Sequence, residues 1–162
     1  MRRSREFLRT IEILIAVQAA RRQRATRGSS MPPLGFSDEA ACEQYLAERL
    51  QRGLVPCPQC GARAGWMLAS RKRRECRDCQ HQLGMRSSTI MAHSPVPLRR
   101  WFNAIRWVLW QPMINANELG AQIGVTRLAT VRFMCKKIRT ALASENASER
   151  LAGLDLHFAS NL

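Results

Sequence analysis

The chain has 162 residues and carries 26 Lys and Arg against 12 Asp and Glu, for a formal net charge of +14. A surplus of this size points to a polyanionic partner, with nucleic acid ahead of an acidic membrane surface. The apolar run at residues 11–17 is interrupted by Glu12 and is too short to span a bilayer, so we expect a cytoplasmic protein with no membrane partner.

Residues 1–33 are predicted to form a basic leader that is partly disordered. Apolar residues recur at helical spacing near its start, which predicts a short amphipathic helix from Phe7, Leu8, Ile11, Leu14 and Ile15. Residues 21–30 are rich in arginine and have no apolar period. The leader is interpreted as a phosphate-binding arm, as a floppy extension, or as untranslated sequence ahead of a start at Met31.

A first helix is predicted after the proline-rich break at residues 31–35. Ser37 is the expected N-cap, and Gly53 is expected to end the helix. The apolar face comprises Cys42, Tyr45, Leu46 and Leu50. Cys42 lies on that face, so it is interpreted as a small core residue rather than a metal ligand.

Two Cys-x-x-Cys pairs follow, Cys57 with Cys60 and Cys76 with Cys79, separated by fifteen residues. Paired thiols at this spacing are typical of a tetrahedral four-thiolate zinc site, and an intracellular chain uses such pairs for metal more often than for disulfides. We therefore predict that these four cysteines bind a structural zinc ion. Strands are predicted at Ala64–Ala69, Arg74–Cys76 and Gln82–Arg86. So small a sheet needs the metal in order to fold.

The turn between the two cysteine pairs is strongly basic. It contains Arg71, Lys72, Arg73 and Arg74. One interpretation is a solvated hairpin turn, and the other is a rigid turn that contacts DNA phosphates. These four residues are candidate DNA contacts.

Three helices are predicted within residues 95–145, with Pro97 at the start of the first. Asn115 and Glu118 have the spacing of a helix start, Gly124 makes a turn, and Thr126 is expected to cap the third helix. This order is typical of a helix-turn-helix whose last helix enters the major groove of duplex DNA. The candidate DNA contacts here are Thr126, Arg127 and Thr130, with Arg127 and Thr130 at bases, and Lys136, Lys137 and Arg139 at the backbone.

The predicted fold class is thus α+β. A helix and a small zinc-ribbon β-sheet occupy residues 34–94, an all-α three-helix helix-turn-helix unit occupies residues 95–145, and residues 146–162 form a truncated tail. No glycine-rich loop or Ser/His/Asp set is found, so no catalytic residue is predicted.

With these elements placed, the chain resembles the N-terminal zinc-ribbon and helix-turn-helix region of a family of bacterial insertion-sequence transposases. The resemblance covers about Phe36 to Gly153. The motifs that carry it are Asp38-Glu39-Ala40-Ala41-Cys42, Cys57-Pro58-Gln59-Cys60-Gly61, Cys76-Arg77-Asp78-Cys79, Ser88-Thr89-Ile90-Met91-Ala92-His93-Ser94, Pro97-Leu98-Arg99-Arg100-Trp101-Phe102-Asn103-Ala104-Ile105 and Leu119-Gly120-Ala121-Gln122-Ile123-Gly124-Val125. The family commonly has glycine after the second cysteine pair, where this chain has Gln80.

The resemblance implies sequence-specific binding to the terminal inverted repeats of an insertion sequence in the bacterial nucleoid. The family continues into a ribonuclease-H-like domain whose acidic residues bind two metal ions, and this chain ends seven residues after Asp155. We therefore expect no catalytic activity from the chain itself. Self-association and a separately encoded catalytic partner are both kept as candidate interactions of the chain.

Three other interpretations stay open at this point. The chain could be a stand-alone regulator of transposition or transcription that binds DNA without a nuclease domain. It could be part of an enzyme whose catalytic portion is supplied from another reading frame. An RNA-binding zinc ribbon is a weaker interpretation, because a helix-turn-helix suits duplex DNA better.

Overall fold

The computed structural model describes residues 34–159, except for the side chains of Ala69 and Ala159. The predictions about residues 1–33 lie outside the described residues. The small sheet with a preceding helix and several following helices confirms the α+β fold class. Within the described range, no helix is long and apolar enough to cross a membrane.

Helix α1 spans Glu39–Gln51. Its N-cap is Asp38, whose carboxylate accepts the N–H of Ala41 at 2.8 Å, so the expected cap at Ser37 is wrong by one residue. A carboxylate suits this position because it satisfies a free N–H and faces the positive end of the helix dipole. Gly53 follows the helix with a φ of 65°, as its predicted role at the end of the helix requires.

Strands β1, Gly65–Leu68, β2, Arg73–Cys76, and β3, Gln82–Gly84, form an antiparallel sheet in the order β1-β2-β3. Trp66 lies opposite Glu75. A 3-10 turn at Ala69–Arg71 and a left-handed residue at Lys72, with a φ of 48°, connect β1 to β2. The predicted basic turn is therefore shorter than expected, because Arg73 and Arg74 already belong to β2.

Three longer helices follow, α2 at Leu98–Trp110, α3 at Ala116–Ile123 and α4 at Leu128–Leu142. The capping box ahead of α3 is confirmed, because the Asn115 side chain accepts the N–H of Glu118 and the Glu118 side chain accepts the N–H of Asn115. Gly124 makes the predicted turn with a φ of 67°.

The start of α4 differs from the prediction. Its N-cap is Arg127, with no side-chain hydrogen bond, and Thr126 does not cap it. Gly120 allows α3 to approach this connection closely, since a Cβ there would lie 2.9 Å from the carbonyl oxygen of Val125.

Two short helices end the described chain, α5 at Ala147–Arg150 and α6 at Leu154–Ala159. The side chains of Leu151, Leu154 and Phe158 are buried, and the Tyr45 hydroxyl donates to the carbonyl oxygen of Ala152 at 2.9 Å. The predicted truncated tail is therefore an ordered part of the fold up to residue 159, because it covers apolar surface of the main core.

The core consists of one large and one small apolar cluster. The large cluster takes Cys42 and Leu46 from α1 and joins them to residues of the later helices, among them Trp101, Phe102, Ile105, Met134, Ile138 and Leu154. The small cluster lies in the cysteine-bearing segment and comprises Leu50, Val55, Cys57, Cys76 and Leu83. Helix α1 thus contributes to both clusters, and the division at residue 94 stays a prediction.

Candidate metal centre and nucleic-acid interface

The two cysteine pairs lie on two turns of similar backbone geometry. In the first, the N–H of Gly61 donates to the carbonyl oxygen of Cys57 at 2.8 Å. In the second, the N–H of Gln80 donates to the carbonyl oxygen of Cys76 at 3.0 Å. Gly61 and Gln80 both have left-handed backbones, with φ values of 76° and 60°. Such a turn directs both sulfurs of a pair to the same side.

The four sulfur atoms converge on one point. Cys57 Sγ lies 3.5 Å from Cys79 Sγ, Cys60 Sγ lies 3.6 Å from Cys76 Sγ, and all four lie within 4.8 Å of one another. A tetrahedral zinc ion with Zn–S bonds of about 2.3 Å places its sulfurs about 3.8 Å apart, whereas a disulfide needs about 2.05 Å. The four residues therefore fit structural zinc, as the sequence predicted.

The remaining described cysteines, Cys42 and Cys135, lie in the large apolar cluster and outside the group of four converging sulfurs. Burial raises the pKa of the Cys42 thiol to about 11, with a further contribution from the Glu39 carboxylate. Burial also raises the pKa of Cys135. Among the four ligands, the backbone N–H groups of Cys79 and Asp78 lower the pKa of Cys76 to about 7. Hydrogen bonds of this kind favour the thiolate, which is the form that binds zinc. Cys42 is a core residue, as predicted.

Comparison with known proteins shows which sequences this chain is similar to. Residues 37–82 match the transposase zinc-ribbon domain. The uncharacterized protein in transposable element ISH50 of Halobacterium salinarum is 29% identical over 112 residues. These residues are 67% of this chain and 38% of the relative, so the chain spans less than half of that relative's length. No solved structure matches the chain significantly. The resemblance to an insertion-sequence transposase is confirmed, and the segment from β1 to β3 with its cysteine turns is called the zinc ribbon below.

The structure removes Arg74 from the candidate DNA contacts. Its side chain is only 1% exposed. Its guanidinium donates to the carbonyl oxygens of Leu50 at 3.1 Å, Val55 at 2.8 Å and Arg63 at 3.2 Å. The prediction that Arg74 contacts phosphate is wrong, because the guanidinium is enclosed and bonded to the chain around the end of α1.

Three other candidates make intramolecular contacts. The Lys72 ammonium pairs with the Glu43 carboxylate at 2.7 Å, although both side chains stay partly exposed. The Lys137 ammonium donates to the carbonyl oxygen of Ile90 at 3.0 Å and lies 4.8 Å from the ring centre of Phe133. The guanidinium of Arg139 donates to the carbonyl oxygens of residues 112 and 114 at 3.0 and 2.7 Å. Lys137 and Arg139 thus hold loops against α4.

The other candidates lie at the surface. Arg71, Arg73, Thr126, Arg127 and Lys136 are exposed, and Thr130 is half-buried. The buried stripe of α4 comprises Val131, Met134, Cys135, Ile138 and Ala141. The spacing of apolar residues alone predicts a stripe through Leu128, Val131, Cys135, Ile138 and Leu142. The observed stripe is centred nearer Met134, and Leu128 and Leu142 are only partly buried. The outward face therefore includes Arg132, which the sequence analysis did not select.

A groove of about 420 Å³ opens between α3 and the start of α4. It is lined by small and apolar side chains together with Asn117 and Thr126. The cationic side chains of α4 lie beyond its lining, so the groove offers shape and a few hydrogen bonds rather than charge.

Proposed function

We propose that the chain binds duplex DNA of a transposable element, with α3 and α4 acting as a helix-turn-helix. The observation that supports it most is the outward face of α4. Arg132 and Lys136 are exposed one helical turn apart, and Arg127 is exposed at the start of the helix. Within residues 34–159 these three side chains make no hydrogen bond or ion pair, which leaves their charges available to DNA.

The proposal assigns different DNA contacts to the start of α4 and to the rest of its exposed face. Residues at the start of a recognition helix reach base edges, so Thr126, Arg127 and Thr130 are assigned to bases. Arg132 and Lys136 lie further along the exposed face and are assigned to the phosphate backbone. Lys137 and Arg139 support this surface by holding neighbouring loops against α4 through their carbonyl contacts.

The zinc ribbon supplies a second set of phosphate contacts in this proposal. Arg71 and Arg73 are exposed on either side of Lys72. Lys72 would leave its ion pair with Glu43 and pair with a phosphate instead. Breaking the ion pair costs little free energy, because an exposed ion pair contributes about 0–1 kcal/mol. The zinc ion itself is structural, because four protein ligands leave no open position on a tetrahedral metal.

The proposed target is the terminal inverted repeat of an insertion sequence, in the bacterial cytoplasm and nucleoid. The match to a transposase zinc-ribbon domain and the relative's place in a transposable element support that target. The activity proposed for this chain is recognition. Strand cleavage belongs to catalytic carboxylates that we assign to a partner chain or to another part of the transposase.

The proposal is tested by fluorescence anisotropy with a duplex from the terminal inverted repeat and with a scrambled duplex, across about 50 to 200 mM salt. The double variant Arg132→Gln, Lys136→Gln should lower the slope of log K against log salt by roughly 2, since each phosphate contact contributes about 0.9. Arg52→Gln, another exposed cation outside α4, is the matched control and should leave the slope nearly unchanged. An equal slope for the wild type and the double variant, or equal affinity for both duplexes, would refute the proposal.

A further inference from the structure

The outer face of the zinc-ribbon sheet carries an aromatic ring toward solvent. Side chains alternate across a strand, and the inner face of β2 takes Arg74 and Cys76, which are buried. Glu75 therefore points to the opposite face, together with Trp66, its direct partner on β1. The Trp66 side chain is 48% exposed, although tryptophan is usually largely buried.

The strand positions around this indole carry cationic side chains. Leu68 lies two residues along β1 on the same face and is half-buried. Arg73 pairs with Leu68 at one end of β2, and Arg77 follows the other end, where its N–H donates to the carbonyl oxygen of residue 64. Both arginine side chains are exposed, and within residues 34–159 neither makes an ion pair.

Two acidic residues, Glu75 and Asp78, lie on β2 or just beyond its end. The Glu75 carboxylate accepts the side-chain N–H of Gln82 at 3.2 Å, which partly satisfies it. Asp78 is exposed beyond the end of β2. Glu75 can accept the amino or imino hydrogens at the edge of a base that stacks on the neighbouring indole, so its position opposite Trp66 is compatible with a base.

We propose that this face of the zinc ribbon is a stacking platform for an unpaired base of single-stranded DNA, with Trp66 under the base and Arg73 and Arg77 at the flanking phosphates. Single-strand binding proteins combine these two features, an exposed aromatic ring on a sheet and a cationic track for the backbone. A base inside a duplex cannot stack on a flat sheet, because its faces are covered by neighbouring base pairs.

The platform is separate from α4, so the chain has two DNA surfaces of different preference. The outward face of α4 binds the duplex, and the sheet holds a strand that has been opened at a junction or an end. The platform therefore goes beyond the duplex binding proposed above. Arg73 is used in both proposals, whereas Trp66 serves only the platform and Arg132 and Lys136 serve only the duplex, so variants of these three residues test the two proposals separately.

The experiment measures binding of the zinc-loaded chain to oligothymidylate of about 12 nucleotides and to an abasic strand of the same length, which carries the phosphates without bases. The wild type should prefer oligothymidylate by about tenfold or more, since stacking on one aromatic side chain has effects of this size. Trp66→Ala should remove that preference, and Trp66→Phe should retain most of it. Arg73→Gln with Arg77→Gln should weaken binding to both strands alike.

The variants also separate the two surfaces. Trp66→Ala should keep its zinc and bind duplex DNA as the wild type does, whereas Arg132→Gln with Lys136→Gln should keep the preference for bases. Equal wild-type binding to the two strands would overturn the platform, as would an unchanged preference in Trp66→Ala. If Trp66→Ala loses its zinc, Trp66→Phe becomes the deciding variant. A Trp66→Phe protein that keeps its zinc but loses the preference for oligothymidylate would also overturn the platform.

Discussion

The Glu39 carboxylate of helix α1 accepts the backbone N–H of Leu98 at 2.6 Å, at the start of helix α2. Its second oxygen accepts the N–H of Arg99 at 2.9 Å. The N-cap of α2 is Pro97, which has no side-chain acceptor, so a residue nearly 60 positions earlier supplies the cap. A single carboxylate in the first turn of one helix thus accepts hydrogen bonds from the free N–H groups at the N-terminus of another.

We predict that Glu39→Ala lowers the free energy of unfolding by about 1–2 kcal/mol, the usual range for loss of a helix cap. Urea unfolding of the zinc-loaded protein, followed by far-UV circular dichroism, measures this. Glu43→Ala is the matched control, because it removes a carboxylate from the same helix that has only an exposed ion pair with Lys72. Its effect should stay within about 0.5 kcal/mol. Equal effects of the two changes would contradict the shared cap.

Cys60→Ser should abolish zinc binding and unfold the zinc ribbon. Structural zinc contributes on the order of 10–16 kcal/mol in small finger peptides, far more than so small a sheet can replace. Zinc content by mass spectrometry and limited proteolysis between residues 54 and 92 follow the change. Cys135→Ala, in the core of α4, should keep full zinc occupancy. Retention of zinc by Cys60→Ser would exclude the four-thiolate assignment.

Arg74→Met should destabilise the protein by about 3 kcal/mol or more, because it removes a buried guanidinium that donates to the carbonyl oxygens of Leu50, Val55 and Arg63. Arg73→Gln changes the neighbouring exposed cation and should cost less than about 0.5 kcal/mol. Thermal unfolding at fixed zinc concentration compares the two. A fully stable Arg74→Met variant that binds DNA weakly would restore the phosphate role that the sequence suggested.

Gln80→Gly should stabilise the zinc ribbon by about 0.5–1 kcal/mol. A left-handed backbone costs a residue with a side chain about 1–2 kcal/mol, and the greater freedom of glycine in the unfolded chain offsets part of that gain. The matched change is Gly61→Gln in the first cysteine turn, which should destabilise by a similar amount. Competition with a zinc chelator measures both variants, and a destabilised Gln80→Gly would show that the Gln80 side chain makes a necessary contact.

The sequence predicted the metal centre well, because four thiols at fixed spacing determine their own chemistry. It also predicted the capping box at Asn115 and the turn at Gly124, since both depend on neighbours within four residues. Arg74 was misassigned because a basic run suggests a solvated turn. A signal was present nevertheless: Cys76 must point inward to the metal, and Arg74 lies two residues earlier on the same strand, hence on the same face.

The later misassignments have a similar origin. The apolar stripe of α4 was predicted to run through Leu128 and Leu142, the larger residues at its ends. The burial of Met134 and the exposure of Arg132 were therefore not predicted. The segment after residue 146 was predicted to be a truncated tail, and its burial was not predicted. Leu151, Leu154 and Phe158 have helical spacing that could have revealed it. The Glu39 cap joins distant segments, and no local pattern predicts such a contact.

Helix α1 places Cys42 and Leu46 in the large cluster and Leu50 in the small one. Because one helix packs into both clusters, we expect unfolding of the zinc ribbon to remove packing from that helix and so to weaken the helical core. Metal loss would lower the melting temperature of helices that never contact the ion. Cellular zinc supply would then set how much of the chain is competent to bind DNA, in addition to the concentration of the protein itself.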